Sequence, residues 1–215
     1  MSNFEQQTAT QQTRHMEQYY RWQSRIYDAT RWSFLFGRKA LIQALPLRGK
    51  EGVHIAEIGC GTGYNLTRLA KRFPEAKLTG LDVSPDMIRL SQKRTQPFGY
   101  RVQLRQQPYG RENSPFDQPL DAILFSYSLT MINPQWSELL DQALLDLHPG
   151  GYIGVVDFHD SAQPWFKAHM SNHHVRMDGH LLPQLRRDFV PVRQKVGSAY
   201  LGVWQYLLFI GQKKA

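Results

Sequence analysis

The chain has 215 residues, 41% of them hydrophobic and 20% charged. That suits one ordinary domain with a sizeable core, and it excludes a disordered chain, a collagen-like fibre and a disulfide-framework miniprotein. One cysteine, Cys60, excludes an intramolecular disulfide and a multi-cysteine zinc cluster, while 26 basic against 18 acidic residues leave a net charge of +8.

Residues 1–13 are polar, rich in Gln and Thr, and read as a flexible tail without the apolar stretch of a secretion signal. From 14 to 48 the pattern is helical, crowded with Tyr19, Tyr20, Trp22, Tyr27, Trp32, Phe34 and Phe36. Arg14, Arg21, Arg25, Arg31 and Arg38 are interleaved, and Pro46 ends the run. This segment is expected to be a helical lid on a single domain, 14–215. No apolar run approaches the roughly 18 residues that span a bilayer, the richest being 206–210. A cytoplasmic protein, free or peripherally bound to a membrane, is expected.

After Lys50 a strand–helix alternation begins. Residues 53–58 read as a strand, 59–63 as its glycine-rich turn, and Leu66, Leu69, Ala70 and Phe73 as the apolar stripe of a helix that Pro74 stops. Residues 77–81 form a second strand closed by Asp82. Ser84 is placed to cap the next helix, with Pro85 at its first position and Met87, Ile88 and Leu90 as apolar contacts. Residues 101–105 suggest a third strand, 108–119 a breaker-rich loop, and 120–126 a strand apolar enough to be buried on both faces. A helix over 137–147 ends at His148-Pro149-Gly150-Gly151, and 152–157 makes a fifth strand. Extended stretches at 189–195 and 203–211, with Gly197 and Gly202 between, suggest a hairpin. The pattern predicts an α/β fold: a mostly parallel sheet with helices on both faces and antiparallel pairing at its C-terminal end.

The strongest signal is Ile55-Ala56-Glu57-Ile58-Gly59-Cys60-Gly61-Thr62-Gly63. Glycines at the end of a first strand let the backbone turn sharply and approach a ligand. Asp82 closes the second strand 19 residues after Gly63, where a carboxylate would accept both hydroxyls of a ribose. Together they indicate an adenosine-containing cofactor. A dinucleotide site places its third small residue at position 64, which is Tyr64 here.

The Glu-x-Gly-x-Gly-x-Gly form instead resembles the first motif of the class I S-adenosylmethionine-dependent methyltransferases, over roughly residues 50–160. The resemblance implies a Rossmann-like seven-stranded sheet and S-adenosyl-L-methionine as cofactor. It implies that Gly59, Gly61 and Gly63 line the methionine part, that Asp82 holds the ribose, and that Val83 and Met87 flank the adenine. Glu57 would organise the loop amides, and Ser126 would sit under the reacting methyl. The acidic residue the family often carries after its third strand is replaced by Gln106-Gln107-Pro108-Tyr109, with Gln107 as the neutral substitute.

The acceptor side is read from charge and aromatics. Residues 1–50 and 176–215 each carry a net +5, against −2 for 51–175, and cationic flanks suit nucleic acid phosphates or an anionic membrane surface. A nitrogen acceptor becomes cationic on methylation, which suits an aromatic enclosure worth about 0.5–2 kcal/mol per contact. Tyr19, Tyr20, Tyr27 and Tyr127 are the candidates for it. The candidate proton acceptor is His159, or a tyrosine acting through water. His169, His173, His174 and His180 form a loose cluster whose spacing matches no closed metal site, so no metal is expected.

Three segments carry a narrower resemblance: YYRWQSRIYDATRWSFLFGR (19–38), FSYSLTMI (125–132) and VRMDGHLLP (175–183). They are similar to the betaine-lipid methyltransferases. The implied reaction is threefold N-methylation of diacylglycerylhomoserine in an anionic membrane surface, with Arg31 or Arg176 pairing the headgroup carboxylate. Phosphatidylethanolamine is the nearest alternative acceptor. An RNA methyltransferase is less favoured, no stable nucleic acid complex being expected, and a cofactor-binding scaffold without turnover is a third class.

Overall fold

A computed structural model describes residues 35–47 and 52–214. Tyr20, Tyr27, Arg31 and most of the 14–48 segment lie outside the described residues. The described elements begin with α1 (Arg38–Ala44), followed by β1 (His54–Ile58), α2 (Tyr64–Arg72), β2 (Lys77–Asp82) and α3 (Pro85–Thr95). Then come β3 (Val102–Gln106), β4 (Leu120–Ser126), α4 (Trp136–Asp146), β5 (Leu147–Asp160), α5 (Pro164–Asn172) and α6 (Leu181–Asp188). The chain closes with β6 (Phe189–Ala199) and β7 (Trp204–Lys213).

The strands form one seven-stranded sheet in the order β3-β2-β1-β4-β5-β7-β6. Pairing is parallel from β3 to β5, and β7 runs antiparallel between β5 and β6. Strand alternation sends side chains to two separate cores. On one face Ile55, Leu78, Leu124 and Leu208 pack with Leu41, Leu45, Leu66 and Leu69 of α1 and α2. On the other, Ile58, Leu81, Phe125 and Phe209 pack with Leu139, Leu140, Leu181 and Leu185 of α4 and α6. The apolar run of β4 is therefore a strand buried on both faces, as its sequence suggests.

The Ser84 cap is present: its Oγ accepts from Met87 N at 3.4 Å, and Pro85 opens α3. The stretch 148–151, at which the preceding helix is expected to end, lies inside β5. There the pairing jumps from Leu120–Leu147 to Ala122–Tyr152, so the surplus residues form a bulge. Two helices escaped the sequence reading. Of α5 only Phe166 is buried, which leaves no apolar period to detect. In α6, Pro183 reads as a breaker, yet it sits in the first turn, where a missing N–H breaks no helical bond.

β1 lies between β2 and β4, so the chain leaves it in one direction and returns on its other side. Such a switch point opens a crevice at the C-terminal ends of the strands. That crevice positions the site.

Candidate active site

The turn after β1 is built from three left-handed glycines, Gly59 at φ 70°, Gly61 at 52° and Gly63 at 73°. A Cβ on Gly59 would lie 2.9 Å from Ser128 Cβ, and one on Gly63 would lie 2.4 Å from Ser91 Oγ. At Gly59 and Gly63 glycine is thus enforced by the protein's own packing. Asp82 ties the turn down. One carboxylate oxygen accepts from Gly61 N at 2.8 Å and the other from Ser84 N at 3.0 Å. Glu57, buried at the end of β1, accepts from Asn65 Nδ2 at 2.7 Å, which fixes the first turn of α2 beneath the loop. Two carboxylates below a glycine loop favour a ligand that carries positive charge.

A cavity of about 220 Å³ opens here. Glu57, Gly59, Cys60, Asn65 and Ser126 form its floor, and Leu35 and Arg38 reach it from the start of α1. Among the described residues, Ser126 Oγ, Ser128 Oγ and Asn65 Oδ1 are buried without a hydrogen-bond partner. Buried polar atoms are normally satisfied, and two of these three belong to residues lining the cavity, so the donor and acceptor set fits a polar ligand. Burial pushes the Cys60 thiol well above its ordinary range, with Glu57 and Asp82 adding to the effect, so it is no thiolate nucleophile.

The residues expected at the adenine are not part of the cavity lining. Val83 is 49% exposed, whereas Met87 is buried. Gln107 donates through Nε2 to Asn113 O at 3.2 Å, which holds the loop after β3.

The turn after β4 is organised by a residue whose place in the sequence marks only the end of a strand. Asp157 on β5 is fully buried and accepts from Ser128 N, Leu129 N and Thr130 N, and from Thr130 Oγ1 at 2.5 Å. It thereby shapes the turn after β4. Burial raises its carboxyl to about 6, against the pull of those donors. A buried carboxylate facing successive backbone amides is recognisable only once the strands are paired. Tyr127 opens the same turn at φ 54°, a left-handed conformation unusual for a tyrosine.

Tyr127 corrects an expectation. Its ring is 2% exposed and its hydroxyl donates to Phe36 O at 2.8 Å. Burial above all, with Asp157 next, drives its pKa far above the ordinary phenol range, and its contacts make it a packing residue of the turn. Arg176 is likewise engaged, by Asp178 at 2.7 Å. His159 follows Asp157 on the same face of β5 and is half-buried, and burial lowers its pKa, leaving a neutral imidazole. Its carbonyl accepts from Gly179 N at 2.8 Å. Among the described residues no cluster of His, Cys, Asp and Glu is suited to a metal ion.

A seven-stranded sheet of this order with a glycine-rich turn after β1 is the fold of the class I S-adenosylmethionine-dependent methyltransferases. The N-methyltransferase NodS of Bradyrhizobium japonicum, solved with S-adenosyl-L-homocysteine, superposes with a TM-score of 0.66 at 20% identity, covering 83% of this chain and 86% of that one. Residues 55–151 match the family described as methyltransferase domain. The phthiotriol/phenolphthiotriol dimycocerosates methyltransferase of Mycobacterium leprae is 31% identical over 110 residues, 51% of this chain and 39% of that protein. The fatty-acid O-methyltransferase of Mycolicibacterium smegmatis is 32% identical over 108 residues, 50% of this chain and 38% of that protein. The chain thus spans less than half the length of these relatives. Other relatives carry the names of trans-aconitate and malonyl-[acyl-carrier protein] methyltransferases, so the shared segment does not fix the acceptor.

Proposed function

We propose that the protein is an S-adenosylmethionine-dependent N-methyltransferase that converts diacylglycerylhomoserine to diacylglyceryl-N,N,N-trimethylhomoserine by successive transfers. One observation carries the narrower part of this reading. The three segments that resemble betaine-lipid methyltransferases are far apart in sequence, yet their described parts meet around the turn after β4. Tyr127 of the second segment donates to Phe36 of the first, and Arg176 N of the third donates to Thr130 O of the second at 2.9 Å. Two relatives named for lipid substrates agree with an apolar acceptor.

The assigned roles follow from chemistry. Gly59, Gly61, Gly63 and Asn65 shape the methionine end, Asp82 takes the ribose, and Val83 and Met87 take the adenine with Gln107 at its rim. Bound there, S-adenosylmethionine supplies an electrophilic methyl group. An amine acceptor must arrive with its lone pair free, so each ammonium intermediate sheds a proton before the next transfer. His159, held neutral by burial, is the group assigned to take it. Tyr20 and Tyr27 are assigned to the aromatic enclosure of the cationic product. Arg176 and Arg31 are assigned to the headgroup carboxylate, which would replace Asp178 on Arg176.

The test is transfer of labelled methyl groups by the purified chain to vesicles containing diacylglycerylhomoserine, phosphatidylethanolamine or neither, and to RNA. Mono-, di- and trimethylated homoserine lipid is the expected product. Equal transfer to phosphatidylethanolamine, or transfer to RNA alone, overturns the acceptor.

A further inference from the structure

The connection between β6 and β7 is a tip of three successive left-handed residues, Tyr200 at φ 49°, Leu201 at 56° and Gly202 at 94°. Leucine seldom adopts that conformation, and Leu201 is fully exposed. Water gives no reason to hold an apolar side chain so far out on a strained turn. The tip is supported from behind. Phe36 meets the Tyr200 ring edge-on at 5.6 Å, and Ser161 Oγ donates to Val203 O, which brings the start of α5 against the same turn. On that first turn of α5 stands Trp165, 63% exposed.

Charge lies beside this apolar group. Neither α1 nor α2 contains an acidic residue, and together they carry Arg38, Lys39, Arg68, Lys71 and Arg72. Arg38 and Arg68 both lie over the Tyr64 ring, at 4.1 and 4.6 Å, and Lys39 and Lys71 line an open groove between the two helices. Phe36, which touches the tip, is two residues before Arg38. Topology puts the tip and the start of α1 at the mouth of the cavity, with the rest of the cationic face running down the side of the sheet from there. Because β7 is antiparallel to β5, its first residues pair with the C-terminal end of β5, Gln205 with Asp160. The cavity opens at that same end, and Leu35 and Arg38 line it.

We propose that the β6–β7 tip, with Trp165 and the cationic face of α1 and α2, docks onto an anionic membrane surface, with Leu201 and Tyr200 inserted among the lipid headgroups. Apolar and aromatic side chains next to a lysine- and arginine-rich surface are the combination that binds such an interface. Docking in this pose brings the cavity mouth to the membrane, so a lipid headgroup reaches the site while its acyl chains stay in the bilayer. This deepens the lipid-acceptor reading and rests on it for its purpose, but not for its measurement.

The experiment uses the full chain with Leu201→Cys, labelled with an environment-sensitive fluorophore. Cys60 is the only native cysteine and is buried, so the label is selective. The vesicles contain phosphatidylglycerol and phosphatidylcholine, with no acceptor lipid and no cofactor. The expected result is a solvent-like signal in buffer and a blue shift with the anionic vesicles, weakened by salt and by pure phosphatidylcholine. Flotation is expected to fall about tenfold for Leu201→Asp and about fivefold for each of Lys39→Gln and Lys71→Gln. A blue shift already present in buffer would mean that another part of the chain covers the tip. That result, or a label indifferent to vesicles but protected by RNA, overturns the proposal. A chain that floats yet methylates no lipid overturns the acceptor alone, and one that methylates dispersed lipid without floating overturns the docking surface alone.

Discussion

Tyr127 shows how one residue can be placed at a site by sequence and given another task by its contacts. Its left-handed backbone turns the chain after β4, and three anchors keep it there: the Phe36 carbonyl, the Phe158 ring edge-on at 4.9 Å, and Trp204 at 6.5 Å. Ser126 and Ser128 on either side keep buried hydroxyls without partners among the described residues. The strain therefore holds a turn that borders the cavity through Ser126. Tyr127→Phe keeps the ring and the turn while removing one hydrogen bond, so it should lower stability by about 1 kcal/mol in urea titration and change methyl transfer less than about threefold. A loss of a hundredfold or more, the size expected for a proton acceptor, would return that role to the phenol.

At the scale of elements, legibility followed burial. β1, β2, β4 and the glycine turn were readable because each carries an apolar run or a backbone demand that few residues meet. The same holds for Asp82 and the Ser84 cap, whose positions follow from strand ends and helix starts. Asp157 was not readable as an organiser, because its partners belong to a turn about 30 residues earlier that only the β4–β5 pairing brings near. The cationic C-terminal flank also reads differently in space. Arg176 and Arg187 pair with Asp178 and Asp188, and Lys213 donates to Leu147 O, so part of that charge is spent internally. β7 is the element on which most depends, since it joins β6 to the rest of the sheet. At its start Trp204 is fully buried against Phe36, Phe158 and Tyr206, while its indole N–H has no partner among the described residues. Trp204→Ala should cost about 3–5 kcal/mol. Trp204→Phe should cost less than about 2 kcal/mol, because the smaller ring also removes an unsatisfied donor. Equal losses for the two variants in urea titration would show that the N–H is satisfied.

For the whole molecule the test is acid. Burial lowers the pKa of His54, His159 and His180, so each binds its proton more readily in the unfolded chain. Their contribution is complete above the ordinary histidine range and is lost as pH falls through it. Asp157 works in the opposite direction. Its folded value of about 6 exceeds the unfolded 3.8, so the fold takes up the proton first and gains stability as pH falls through 6. Asp160 and Asp178 are lowered carboxylates whose contributions disappear only below the ordinary carboxylate range. Between about pH 7.5 and about pH 5.5 the histidines therefore pull stability down, while Asp157 returns about 1 kcal/mol. Asp157→Asn removes that opposing gain along with the acceptors for the 128–130 amides. The variant should be less stable throughout, and its further loss on acidification over this window should exceed the native protein's by about 1 kcal/mol. Urea titrations at both pH values measure the difference. Parallel losses would mean that Asp157 stays ionised across the window, with the amides of the β4 turn outweighing its burial.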